Sequence, residues 1–386
     1  MPKPLKISAR FSVSMNILYG IIDEMKRFIV FVFIVLVVLV SIFIVFRVVR
    51  EKVGKDLSQP VYQPASSPTP TVALSPLHHT NTSLFVPDWT LENISDGYDQ
   101  YIYFGVTPTK DGLVATDTTT KDINDFLTTV PQGGKTLLAL EMENTEINGD
   151  ILQSKTLSQK VATQTVSLAQ ANGFSGIVLD LETGGIPFSS LIDEINDFVS
   201  ELDSEAKARD MQFAVTLYGD TFYRLRPFDV KTIAAHSDMV MIMAYDFHKA
   251  RSTPGPNFPL SGKNTYGYDM GQMSDDFLQV VPNQKLSVIF GLFGYDWTVD
   301  SQGNAIGQAQ ALTDLQIQNK FLNGCSFKDC QINRDPVSAE TVIHYTDDSG
   351  QKHIVWFDDM NSVAAKEQFL RKQGIGNFAF WANSYF

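Results

Sequence analysis

Eight short apolar runs separated by amphipathic stretches constrain this 386-residue chain more than any other feature. They cover residues 84–86, 101–106, 137–142, 177–182, 213–218, 240–245, 286–290 and 378–381. Runs this short, bounded by turn residues, read as strands, whereas residues 158–171, 191–209, 274–281 and 362–373 carry helical periodicity. Asn172-Gly173 and Gln373-Gly374 have the composition of helix C-caps. Strand–helix alternation repeated in this way predicts an α/β fold, a parallel (β/α)8 TIM barrel. A doubly wound open sheet is the alternative, but no Gly-rich phosphate loop follows an early strand. Between about residues 298 and 357 the rhythm breaks. Residues 341–345 and 353–357, joined by Asp347-Asp348-Ser349-Gly350, form a hairpin pattern. A small α+β insertion between the seventh strand and its helix is therefore expected.

The stretch ahead of the barrel has a different character. Residues 28–46 contain a single polar side chain, Ser41, and are long enough to span a bilayer. Arg47-Val48-Val49-Arg50-Glu51-Lys52 follows instead of a small-residue cleavage site, so the span reads as an uncleaved signal anchor. Residues 1–27 would be cytoplasmic, with 1–24 an over-long start ahead of Met25-Lys26-Arg27. Residues 47–82, with Pro60, Pro64, Pro68, Pro70 and Pro76 among Ser, Thr and Gln, read as an extended linker. Residues 83–386 are the expected globular part. The expected location is the cell membrane, single-pass, with the C-terminal domain extracellular.

Charge narrows the partners. Residues 1–56 carry +5, so with a chain total of −13 the remainder carries −18. Such an acidic domain lacks the basic face that a nucleic acid requires, and solubility alone explains its sign. A monomer is expected. Cys325 and Cys330 lie in one polar stretch and would form either a small disulfide loop or two free thiols. No second Cys or His pair stands near them at ligand spacing, so no metal is expected.

Phe174-Ser175-Gly176-Ile177-Val178-Leu179-Asp180-Leu181-Glu182 holds the sharpest chemical signal. In an extended strand Val178, Asp180 and Glu182 share one face, while Ile177, Leu179 and Leu181 share the other. Two acids at the end of an apolar strand are costly unless paired or used, and one can hold the other protonated near neutral pH. In a barrel, chemistry gathers at the C-terminal ends of strands. Those ends contribute Tyr218, Met243-Ala244-Tyr245-Asp246 and Trp381 as well. Acids, a tyrosine hydroxyl and flat aromatic rings are the equipment for binding and cleaving sugars. Glu141 and Glu143 end the third strand, where they would line the cleft or, by default, a solvated rim.

These landmarks resemble family 18 of the glycoside hydrolases, the chitinase-like group. Strand four is similar to that family's Asp-Gly-x-Asp-x-Asp-x-Glu signature, Met243-Ala244-Tyr245-Asp246 to its second signature, and Trp381 to its barrel-floor tryptophan. Gly294-Tyr295-Asp296-Trp297 and His353-Ile354-Val355-Trp356-Phe357-Asp358-Asp359 resemble the spore-germination, peptidoglycan-hydrolase branch. The resemblance implies retaining, substrate-assisted hydrolysis of glycans containing β-1,4-linked N-acetylglucosamine, either peptidoglycan or chitin, without a cofactor. It implies Glu182 as general acid and base, Asp180 as positioner of the acetamido group and Tyr245 as donor to the acetamido oxygen. Asp246, Met243, Trp381 and Tyr218 would bind substrate. Ser175 and Val178 stand where the signature has acids, and Phe293 where the branch often has tyrosine. Alternatives to the enzyme are a glycan-binding barrel with weak or no catalysis, and a surface scaffold.

Overall fold

The computed structural model describes residues 81–113, 116–184 and 187–386. The expected membrane span, the linker up to residue 80 and the start at Met25 lie outside these residues. Among the described residues no helix is long and apolar enough to cross a bilayer.

Eight strands pair in parallel and close into a barrel. They are β1 (Thr82–Pro87), β2 (Gln100–Val106), β3 (Lys135–Met142), β4 (Gly176–Leu181), β5 (Gln212–Tyr218), β6 (Met239–Ala244), β7 (Leu286–Gly291) and, after an intervening sheet, β13 (Asn377–Trp381). Their order is β1-β13-β7-β6-β5-β4-β3-β2. Closure divides each strand's side chains between two cores. Phe85, Phe104, Ala139, Val178, Ala214 and Met243 help fill the barrel, while Leu84, Leu140, Leu179 and Val215 face outward into the larger core shared with the helices.

The helices that cover this outer face include Asp117–Thr129, Lys155–Ala171, Ser189–Lys207, Met270–Leu278 and Met360–Lys372. The last two begin ahead of their expected starts because aspartates cap them: Asp269 accepts from the Gln272 N–H, and Asp359 forms a capping box with Ser362. After β1 the chain makes only a 3-10 turn, Asp88–Thr90, in place of a helix. The wholly buried Asn383 holds the loop that follows, donating to the Thr90 and Asn93 carbonyls at 2.7 and 3.0 Å and accepting from the Ser95 N–H at 3.1 Å.

Between β7 and helix Met360–Lys372 lies a five-stranded antiparallel sheet. Its strands are β8 (Phe293–Val299), β9 (Gln310–Thr313), β10 (Lys328–Arg334), β11 (Thr341–Thr346) and β12 (Lys352–Phe357), in the order β10-β11-β12-β8-β9. The expected hairpin is β11–β12. The sheet starts at Phe293, upstream of the expected 298, because β8 pairs with β12 almost as soon as the chain leaves β7. Gly294 permits this approach: a Cβ there would lie 2.0 Å from the Trp356 carbonyl oxygen. A disulfide joins Cys325 to Cys330 beside this sheet's small apolar core.

A buried ion cluster ties the insertion to the barrel's last helix. The Lys366 ammonium lies 2.9 Å from Glu340 and 2.6 Å from Asp358, and all three side chains are fully buried. Removing the cation would leave two carboxyl groups buried without their charge partner. Lys366→Met is therefore expected to lower stability by about 3–5 kcal/mol, measured by urea unfolding.

Candidate active site

Barrel closure delivers β4's acids to one place. Val178 is wholly buried in the interior, Asp180 stands a layer above it at 4% exposure, and Glu182 follows just past the strand end. The Glu182 N–H donates to the Met142 carbonyl at 2.9 Å, and Asn148 donates to both the Met142 and Glu182 carbonyls. These bonds extend the β3–β4 ladder past its end and fix the main chain that carries Glu182.

β5 supplies the partners. Thr216 and Tyr218 alternate on its inner face: the Thr216 hydroxyl donates to Asp180 Oδ1, and the Tyr218 hydroxyl donates to Glu182 Oε2 at 3.2 Å. Tyr218 is itself backed by Arg226, whose guanidinium lies 3.7 Å from the ring centroid and reaches Asp220 at 2.8 Å. Glu143 arrives from β3, and its carboxylate gathers with those of Asp180 and Glu182 so that oxygens of all three lie within 4.8 Å. That spacing would also suit a divalent cation, and the burial of Asp180 and Glu182 suits a retained proton.

These carboxyls open into a cleft of about 400 Å³. Tyr245 lines it just beyond β6, and Asp246 beside it accepts from the Tyr295 hydroxyl at 2.6 Å. Trp381, at the end of β13, packs against Phe104 at 4.8 Å and Phe85 at 5.6 Å, presenting an aromatic floor. The insertion forms a wall through Phe293, Tyr295, Leu312 and Gln316. Met243 is not part of the cleft lining: it is buried one layer lower and supports Tyr245 and Trp381 from the barrel interior. Tyr218 reaches the site through Glu182. Glu143 is exposed and lines the cleft, as both readings of that strand end allow, whereas Glu141 is buried. Thr216 and Tyr295 belong to the site too; period two on β5, which pairs Thr216 with Tyr218, was the signal for the first.

Electrostatics follow from burial. Desolvation, reinforced by the charge of Glu182, raises Asp180 to about 7 against the opposing Thr216 hydrogen bond. Desolvation and then Glu143 raise Glu182, while the Tyr218 hydroxyl opposes the shift. Burial lifts Tyr245 well above the usual phenol range, so it is a neutral donor. Asp246 is raised chiefly by burial, with the Tyr295 bond opposing. Glu141, which is paired in register with Asp180, is raised to about 8 by desolvation first and by Glu143 second. The arrangement holds protons on buried acids near neutrality, which suits general acid work at a cleft.

A parallel barrel with clustered acids above an aromatic floor is the arrangement of barrel glycosidases. Residues 80–385 match glycosyl hydrolases family 18, and the chain belongs to that family. It is 25% identical over 299 residues to the cortical fragment-lytic enzyme of Bacillus anthracis, a match covering 72% of this chain and 63% of that enzyme. It is 24% identical over 287 residues to chitotriosidase-1 of Mus musculus, covering 68% and 60%. The chain thus spans 60–63% of the length of these two relatives. Among solved structures, a family 18 chitinase from Cycas revoluta in complex with (GlcNAc)3 aligns with a TM-score of 0.68 at 21% identity, covering 78% of this chain and 95% of that one. The Bacillus cereus spore cortex-lytic enzyme SleL aligns with a TM-score of 0.63 at 21% identity, covering 80% and 72%. At these identities the structural likeness is one of fold.

The raised carboxyls have a consequence for stability. Between about pH 4 and 8 the folded chain holds protons on Asp180 and Glu141 that the unfolded chain releases. The stability these groups supply is full below the unfolded carboxylate range and is lost as pH rises through about 7 and 8. Glu141→Gln should reduce the fall in Tm between about pH 5 and 8, raising Tm at about pH 8 by roughly 2 °C or more in a thermal melt.

Proposed function

We propose that this chain is a membrane-tethered glycosidase that hydrolyses β-1,4-linked glycans containing N-acetylglucosamine, in peptidoglycan or chitin. The gathering of Glu182, Asp180 and Glu143 over the Trp381 floor carries this reading. Glu182 protonates the departing glycosidic oxygen as the substrate's acetamido carbonyl oxygen attacks the anomeric carbon, so that the C–O bond breaks and an oxazolinium forms. Water then adds to the anomeric carbon, Glu182 takes its proton and the acetamido group is restored. Asp180 orients the acetamido nitrogen and offsets its charge, and Tyr245 donates to the acetamido oxygen. Asp246 and Tyr295 hold the sugar in the cleft.

The names of the relatives, a cortical fragment-lytic enzyme and a chitotriosidase, support a polymer of this kind. The tether rests on the apolar residues 28–46, and a barrel held outside the cell beside wall polymer is the reading that fits such a substrate. A second reading, a glycan-binding barrel of weak catalysis, draws on Val178. It puts an apolar side chain beneath Asp180, so the buried side of that carboxyl has no polar group from β4.

The full chain and its Glu182→Gln variant, incubated with chitotetraose and with purified peptidoglycan, decide between these readings. Loss of sugar release by at least about a hundredfold in the variant is expected; equal release would sink the catalytic assignment, and tight binding without release by either would establish the binder. Because burial and Glu143 raise Glu182, wild-type kcat/KM should fall on the alkaline side as the acid form is lost, measured as a pH profile.

A further inference from the structure

Asp246 holds an unusual backbone conformation. Its φ is +59°, in the left-handed region that costs a non-glycine residue about 1–2 kcal/mol and requires support from its surroundings. That conformation accompanies the contact between its carboxylate and the Tyr295 hydroxyl. The support comes from one side chain. Asn257, at 1% exposure in the long loop after β6, accepts from the Asp246 N–H through Oδ1 at 2.8 Å. Its Nδ2 donates to the carbonyls of Gly291 and Phe293, each at 3.2 Å. Two carbonyls and one N–H around the amide leave a single orientation that satisfies all three. The Asn257 carbonyl takes the next N–H, that of Phe247, at 2.8 Å.

Asn257 is anchored in turn. Its own N–H and that of Phe258 donate to the two oxygens of Glu340, at 2.5 and 2.7 Å, and Glu340 is the carboxylate held by buried Lys366. A continuous chain of buried hydrogen bonds thus runs from the ion cluster behind the insertion to the main chain of a cleft residue.

We propose that Asn257 is a positioning residue for the glycan site, holding Asp246 in its left-handed conformation so that its carboxylate meets Tyr295 and the cleft. The importance of Asp246 to glycan binding rests on the function proposed above; the conformational grip does not. The loop 246–257, the β7–β8 corner and the insertion are registered to one another through this amide, so the insertion's wall and Asp246 form a single sugar-contacting unit.

A double-mutant cycle with Asp246→Ala tests this in the full chain, read by calorimetric titration of tetra-N-acetylchitotetraose against proteins also carrying Glu182→Gln. Asn257→Ala should weaken binding about tenfold when Asp246 is present and less than about twofold when it is alanine. The same loss in both backgrounds would overturn the proposal. A crystal structure of Asn257→Ala gives a readout independent of any glycan. Asp246 should leave its left-handed conformation and the Tyr295 contact, and its staying there would refute the grip whether or not the protein proves to be a glycosidase. If Asn257→Ala does not fold, Asn257→Ser, whose hydroxyl is too short to span the same three partners, carries the same structural test, and Asp246 staying left-handed there would refute the grip.

Discussion

Closure of the parallel sheet is the constraint on which the site depends. Once β1 pairs with both β2 and β13, every strand side chain is either inside the ring or outside it. Val178 and Asp180 are therefore stacked in layers, and Thr216 and Tyr218 climb the neighbouring strand at matching heights. The acids meet their hydroxyl partners because two strands share one register within a ring that admits no slip. A one-residue shift of β4 would exchange Asp180 for Leu179 or Leu181 and place the carboxyl among the helices.

That arrangement concentrates unfavourable electrostatics. Burial in the barrel raises the proton affinity of Asp180, Glu182 and Glu141, and neighbouring carboxylates add to it, Glu182 at Asp180 and Glu143 at both Glu182 and Glu141. Hydroxyl donors relieve part of the cost at Asp180 and Glu182, whereas Glu141 Oε1 is buried without a hydrogen-bond partner. The insertion handles its buried charges differently, pairing Lys366 with Glu340 and Asp358 at close range. One cluster retains protons above a cleft, and the other sets one buried cation against two carboxyls to hold the insertion to the barrel's last helix.

Much of this was legible in the sequence because it follows from local periodicity. Apolar runs located the eight barrel strands, and period two on strand four put Asp180 and Glu182 on the inner face. What was not legible depends on heights and on long-range contacts. Met243 shares the inward parity of Tyr245, yet a two-residue step down the strand drops it below the cleft into packing. Whether Glu143 meets the β4 acids was open in the sequence, because nothing local reveals that β3 and β4 end level with each other. The start of β8 was hidden in a glycine-rich run whose purpose, the close approach of β12, emerges only in three dimensions. Asn257 sits in Pro254-Gly255-Pro256-Asn257, a stretch with the composition of a plain turn.

The wall that Leu312 and Gln316 give the cleft belongs to chain encoded more than a hundred residues after the acids it faces. Most of that wall is therefore written apart from the acids in the gene. Positions on that wall that bond to nothing in the barrel are open to replacement, while the acids stay under the discipline of the closed ring. Diversification of such a barrel would proceed by rewriting the wall and leaving the acids in place.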